Sequence, residues 1–135
     1  MLFRSLSQSG IVREDITASF GTSTTKTPGI PLTIKLTIQD AANGCAPMQG
    51  AAVYLWHCDR GGNYSLYSQA AASENYLRGV QATDGSGVAT FRSIFPACYS
   101  GRWPHIHFEV FPSLANALAS GSKLTTSQLA LPETD

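Results

Sequence analysis

Apolar and polar residues alternate with period two in four stretches of the chain: PLTIKLTIQD (31–40), GAAVYLWHCD (50–59), GVATFRSIF (87–95) and HIHFEVF (105–111). Successive side chains on a strand point to opposite faces, so this alternation marks strands that bury one face. Gly, Pro, Asn or Asp bounds each stretch. DGSG at 84–87 supplies a turn in which glycine takes a positive φ without steric cost. IVREDITASFG (11–21) is expected to add an edge strand. SLANALAS (113–120) alone has helical spacing, with Ser113 placed as its cap. Short strands with one small helix predict an all-β fold, an antiparallel β-sandwich, because a sheet with one apolar face must cover it with another. The connection SLYSQAAASENYL (65–77) is long for a hairpin and is a candidate site wall.

At 135 residues the chain has the length of one domain, spanning 1–135. Nine basic and nine acidic residues cancel, and only 13% of positions are charged, so no electrostatic footprint for nucleic acid or a membrane surface is expected. The longest apolar run, AAVYLW, is too short to cross a bilayer, and the first residues lack the apolar centre of a signal peptide. Low charge with abundant Ser, Thr and Gly suits a secreted or extracytoplasmic protein, and a cytoplasmic one is also compatible. The three cysteines, Cys45, Cys58 and Cys98, match no zinc-binding spacing. Their odd number leaves at least one thiol free or paired outside the chain, and one internal disulfide stays open without assigned partners.

The chemistry concentrates in YSGRWPHIHFEVF, residues 99–111. On a strand His105, His107 and Glu109 share one face, while Ile106, Phe108 and Val110 anchor the other. Cα atoms two residues apart lie about 6.6 Å from each other, close enough for two imidazoles to meet on one ion. The same pair can equally be two polar residues on a wet face. Glu109 offers a third ligand, giving a two-histidine, one-carboxylate site for ferrous iron or zinc. Tyr99 and Arg102 precede His105, and Tyr64 lies in GGNYS. His57 reads as structural, and Tyr54, Trp56 and Trp103 as core or pocket wall. Tyr67 and Tyr76 either line a substrate mouth or decorate the surface.

The stretches GAAVYLWHCDRGGNYSLYS and RGVQATDGSGVATFRSIFPACYSGRWPHIHFEV, with a weaker TSQLALP, resemble the intradiol ring-cleavage dioxygenases, the family of catechol and protocatechuate dioxygenases. The resemblance runs over roughly residues 50–132. It implies a prealbumin-like Greek-key sandwich and a ferric ion, Fe(III), held by Tyr64, Tyr99, His105 and His107. The tyrosine at the Tyr99 position is the axial ligand that substrate displaces, opposite His107; Tyr64 and His105 are equatorial. Arg102 then stands beside the substrate ring, and Gln128 is a polar residue behind the ligands. The substrates implied are a catechol and O2, and the product a muconate-type diacid. Tyrosine titrates near pH 10, so it ligates at neutral pH only where a strongly Lewis-acidic ion stabilises the phenolate. The CYSGRWPHIH form is similar to a smaller, often secreted branch of the family, and at the ending LALPETD two alternatives stay open, closure of the fold and truncation at the C-terminus. Two other functions compete: a divalent-metal enzyme using His105, His107 and Glu109, and a non-catalytic β-sandwich binding module.

Overall fold

The structure is a computed structural model that describes residues 10–97, 103–119 and 121–131. Its strands are β1 (Pro31–Thr37), β2 (Gln39–Asp40), β3 (Ala46–Pro47), β4 (Ala52–Trp56), β5 (Arg78–Ala82), β6 (Val88–Ile94), β7 (His105–Phe111) and β8 (Thr125–Ala130). Among the described residues one α-helix, α1 (Leu114–Leu118), connects β7 to β8. Antiparallel pairing gives a four-stranded sheet in the order β5-β4-β7-β8 and a two-stranded sheet of β1 and β6, with β2 and β3 as a separate short pair. This is the expected antiparallel β-sandwich, with one short α-helix among the described residues.

Every residue of β4 is buried, which requires cover on both faces of the four-stranded sheet. Val53, Leu55 and Ile106 face the β1–β6 sheet and form the main core with Ile16, Ile34 and Phe91. Tyr54, Trp56, Val80 and Phe111 face outward and are covered by Ile11 and by Ala117 of α1. Ser113 caps that helix as expected, its Oγ accepting from the Asn116 N–H at 3.1 Å. Together the two faces make three layers around one sheet, and the outer layer carries the site.

Two elements depart from the sequence reading. PLTIKLTIQD divides at Ile38: its N–H donates to Gly87 O, its carbonyl accepts from Met48 N–H, and residues 39–40 leave β6 to pair with β3. Residues 11–21 form no continuous strand. Val12 bridges Val80 of β5 and Asp15 bridges Arg92 of β6, so the segment crosses from one sheet to the other and ties their edges together. The crossing is close: a Cβ on Gly79 would lie 2.5 Å from Ile16 Cγ2, so only glycine admits it. That requirement places a glycine inside β5 and leaves RGVQA without the alternation that marks the other strands.

His57 is structural, as expected. Its Nδ1–H donates to Cys58 O at 2.6 Å, which leaves Nε2 to accept from Ser93 Oγ at 2.6 Å and links the end of β4 to β6. Cys45 and Cys58 are free thiols, and Cys98 lies outside the described residues. No helix among the described residues is long and apolar enough to cross a membrane.

Burial lowers the His57 pKa from 6.5 to about 4. The unfolded chain then binds more protons than the folded one between those values, so the contribution is complete above pH 6.5 and is lost as pH falls toward 4. A shift of this size corresponds to roughly 3 kcal/mol. Thermal melts of the metal-free protein should show Tm dropping across that window. His57→Gln should melt lower at neutral pH and lose part of the slope; an unchanged slope would show that His57 is not the titrating group.

Candidate metal centre

Strand register assembles the outer face row by row. Trp56 pairs with Arg78 on one side and His107 on the other, and His107 pairs with Gln128. Directly opposed residues share a face, so Arg78, Trp56, His107 and Gln128 form one row across all four strands. The next row is Val80, Tyr54, Glu109 and Thr126. Ile106 and Val110, buried on the opposite face, fix the rotation of β7 and so the direction of both histidines.

Tyr64 reaches these histidines from the loop that follows β4. The Asp59 carboxylate accepts from the N–H groups of Gly61 and Asn63, each at 2.9 Å, which shapes the turn before Tyr64. Beyond it, Tyr64 N–H donates to Ser68 Oγ at 2.8 Å while Tyr64 O accepts from Ser68 N–H at 2.9 Å. The loop 65–77 is then framed by Leu66 and Leu77, both at positive φ (70° and 58°), a conformation that leucine holds only where its surroundings fix it.

Tyr64 Oη lies 3.3 Å from His105 Nε2 and 3.2 Å from His107 Nε2, and the two Nε2 atoms are 3.1 Å apart. His105 Nδ1–H donates to Trp103 O at 2.7 Å, so its Nε2 presents a lone pair to the other two atoms. The His107 ring stacks on Trp56 at 5.0 Å and 9°, and Trp56 in turn stacks on Tyr54 at 5.1 Å and 25°. A donor triangle of this size fits a transition metal: a point about 2.0–2.1 Å from every corner, the usual metal–nitrogen distance, lies just off its plane. Two imidazoles with a phenol are a donor set for a Lewis-acidic ion, because the phenol must lose its proton to bind.

Glu109 is brought to the same face but not into the triangle: it is 2% exposed and its carboxylate accepts from Lys123 Nζ at 3.0 Å. Among the described residues no three His, Cys, Asp or Glu side chains converge, which removes the two-histidine, one-carboxylate arrangement. Gln128 stands opposite His107 on β8. Tyr99 and Arg102 lie outside the described residues. Tyr54 and Trp56 are core and site wall at once, whereas Trp103 is half exposed and its Nε1–H donates to Leu131 O, so it is not core. Tyr67 is exposed, but Tyr76 is buried and donates to Asp59 Oδ2 at 3.2 Å. Burial, then the Asp59 charge, pushes the Tyr76 hydroxyl pKa up to about 12. Arg78 was not foreseen. It is 1% exposed, and sequence offers no signal that an arginine between Leu77 and Gly79 turns inward.

Residues 8–128 match the profile of a family described as "Dioxygenase". A solved intradiol ring-cleavage dioxygenase from Tetranychus urticae superposes with TM-score 0.74 at 30% identity, covering 93% of this chain and 59% of that one. Catechol 1,2-dioxygenase 2 of Acinetobacter lwoffii is 37% identical over 54 residues, 40% of this chain and 19% of that protein. Chlorocatechol 1,2-dioxygenase of Rhodococcus opacus is 36% identical over 74 residues, 53% of this chain and 27% of the relative. The matched stretches thus span well under a third of the two curated relatives.

The triangle predicts one tightly held metal ion per chain, measurable by elemental analysis after dialysis. His105→Ala and His107→Ala should each weaken binding by more than the roughly 10–100-fold that loss of an outer partner costs. Glu109→Gln should keep full metal content; metal loss in that variant would restore the carboxylate as a ligand.

Proposed function

Because the chain belongs to the intradiol ring-cleavage dioxygenases, we propose that it opens catecholic rings between the two hydroxyl-bearing carbons, using O2 and a mononuclear ferric ion. The observation that carries this reading is the meeting of Tyr64 Oη with His105 Nε2 and His107 Nε2 at 3.1–3.3 Å. A phenol among the donors favours a hard trivalent ion over zinc. The matched relatives named for catechol and chlorocatechol 1,2-dioxygenation support a catechol as the substrate class.

Tyr64, His105 and His107 would hold the iron, with Tyr99 as the fourth protein ligand in the family pattern. Bound there, ferric iron supplies the Lewis acidity that makes both catechol oxygens acidic near neutral pH. The two catechol protons must be taken up: the Tyr99 phenolate would accept one as a base, and solvent hydroxide the other. Trp103 O holds the His105 proton on Nδ1, which leaves the Nε2 lone pair as the one that would ligate. The Trp56 ring supports His107 from behind and bars rotation of the imidazole. Arg102, cationic at any working pH, is assigned to stabilise negative charge that develops on the ring as it meets O2.

Two experiments test the reading. Iron-loaded protein should show the visible charge-transfer colour of ferric tyrosinate and consume one O2 per catechol, yielding a muconate-type diacid; ring cleavage outside the diol, or no O2 uptake, would contradict it. Arg102→Ala should leave iron content intact and lower kcat/KM by roughly 10²–10³-fold, the effect of losing one charge-stabilising donor; wild-type turnover would remove Arg102 from the mechanism.

A further inference from the structure

Arg78 is a buried arginine, at 1% exposure, in the strand row that also carries Trp56 and His107. Burying a guanidinium is costly unless its donors are satisfied, and the usual partner is a carboxylate. Here all the acceptors among the described residues are neutral. Nε–H donates to Ser65 Oγ at 3.0 Å, one terminal nitrogen to Ser65 O at 2.9 Å, and the other to Tyr54 Oη at 3.0 Å. These acceptors belong to two elements, Tyr54 to β4 and Ser65 to the loop that follows it. Ser65 follows Tyr64 directly in the chain, and its Oγ–H also donates to Tyr76 O at 2.7 Å, so the guanidinium pins the loop at the point where it delivers the phenol. Tyr54 is the outer ring of the stack Tyr54–Trp56–His107. One rigid fork therefore holds the loop that presents Tyr64 and the aromatic column that backs His107.

We propose that Arg78 is a positioning residue of the metal centre: by clamping Ser65 and Tyr54 simultaneously, it sets the separation between the Tyr64 oxygen and the His107 nitrogen. The proposal rests on the iron reading above. Lysine cannot replace arginine in this role, since an ammonium on a flexible stem does not present the planar fork that three acceptors on two elements require. The Tyr67 ring lies over the guanidinium, its centroid 5.5 Å from the guanidinium carbon.

The test uses the full chain loaded with ferric iron, read by its visible charge-transfer band and by iron affinity in chelator competition. Arg78→Lys and Arg78→Gln should retain the far-UV circular dichroism of the wild type but shift the band and raise the iron Kd at least tenfold. Ser65→Ala and Tyr54→Phe, milder changes that each delete one acceptor, should shift the band in the same sense and by less. Folded Arg78 variants with the wild-type band and Kd would overturn the proposal. If the Arg78 variants do not fold, the two acceptor variants decide: unchanged bands in both would overturn it equally. A wild-type protein that stays colourless on ferric loading is a distinct outcome, which strikes down the iron reading and the positioning role with it.

Discussion

The pairing of β4 with β7 governs the rest of the molecule. It sets Trp56 directly against His107, and because both strands bury their opposite faces in the main core, neither can rotate or slip by one residue. A one-residue slip would exchange the faces of β7, sending His105 and His107 into the apolar layer and Ile106 and Phe108 into the site. The cost of that exchange is the burial of two imidazoles together with the exposure of core side chains, which the fold cannot sustain. The apolar half of HIHFEVF is thus the reason its polar half can serve as a preset pair of ligands.

A preset pair still needs a third direction, and that comes from a part of the chain with weaker local order. The loop after β4 owes its shape to side-chain hydrogen bonds: Asp59 gathers the turn before Tyr64, Ser68 braces it from behind, and Arg78 fixes the step after it. The N-terminal crossing segment reinforces the far end of the same loop. Glu74 accepts from Ser19 and Ser23, the Asn75 side chain both accepts from and donates to the Phe20 backbone, and the Arg13 guanidinium donates to Asn75 O and Arg78 O. Regular pairing positions the histidines, and a network of part-buried and buried polar contacts positions the tyrosine. Such networks specify one geometry when every member is satisfied.

The parts of this design that were legible in the sequence are those with a period. Alternation located β1, β4, β6 and β7 and placed His105 and His107 on one face, and the serine cap located α1. β5 was hidden because its interior glycine serves the close passage of Ile16, and residues 11–21 misled because their hydrogen bonds are divided between two sheets. Glu109 shares its face with the histidines as alternation requires, yet a tertiary contact, Lys123 from beyond α1, takes its carboxylate. Tyr64 was reached through family resemblance and not through any pattern, since a loop residue has no period to betray where it points. Arg78 escaped for the same reason: inward-turned arginines are defined by acceptors distant in sequence.

The central claim is that Tyr64, His105 and His107 close on a single metal ion, and anomalous diffraction at the iron edge from crystals of the ferric protein measures it most directly. The account predicts one anomalous peak per chain about 2 Å from Tyr64 Oη and from both Nε2 atoms, in keeping with ordinary metal–ligand distances. A peak seated on Glu109, or one bound by the histidines with the Tyr64 oxygen turned away, would contradict it.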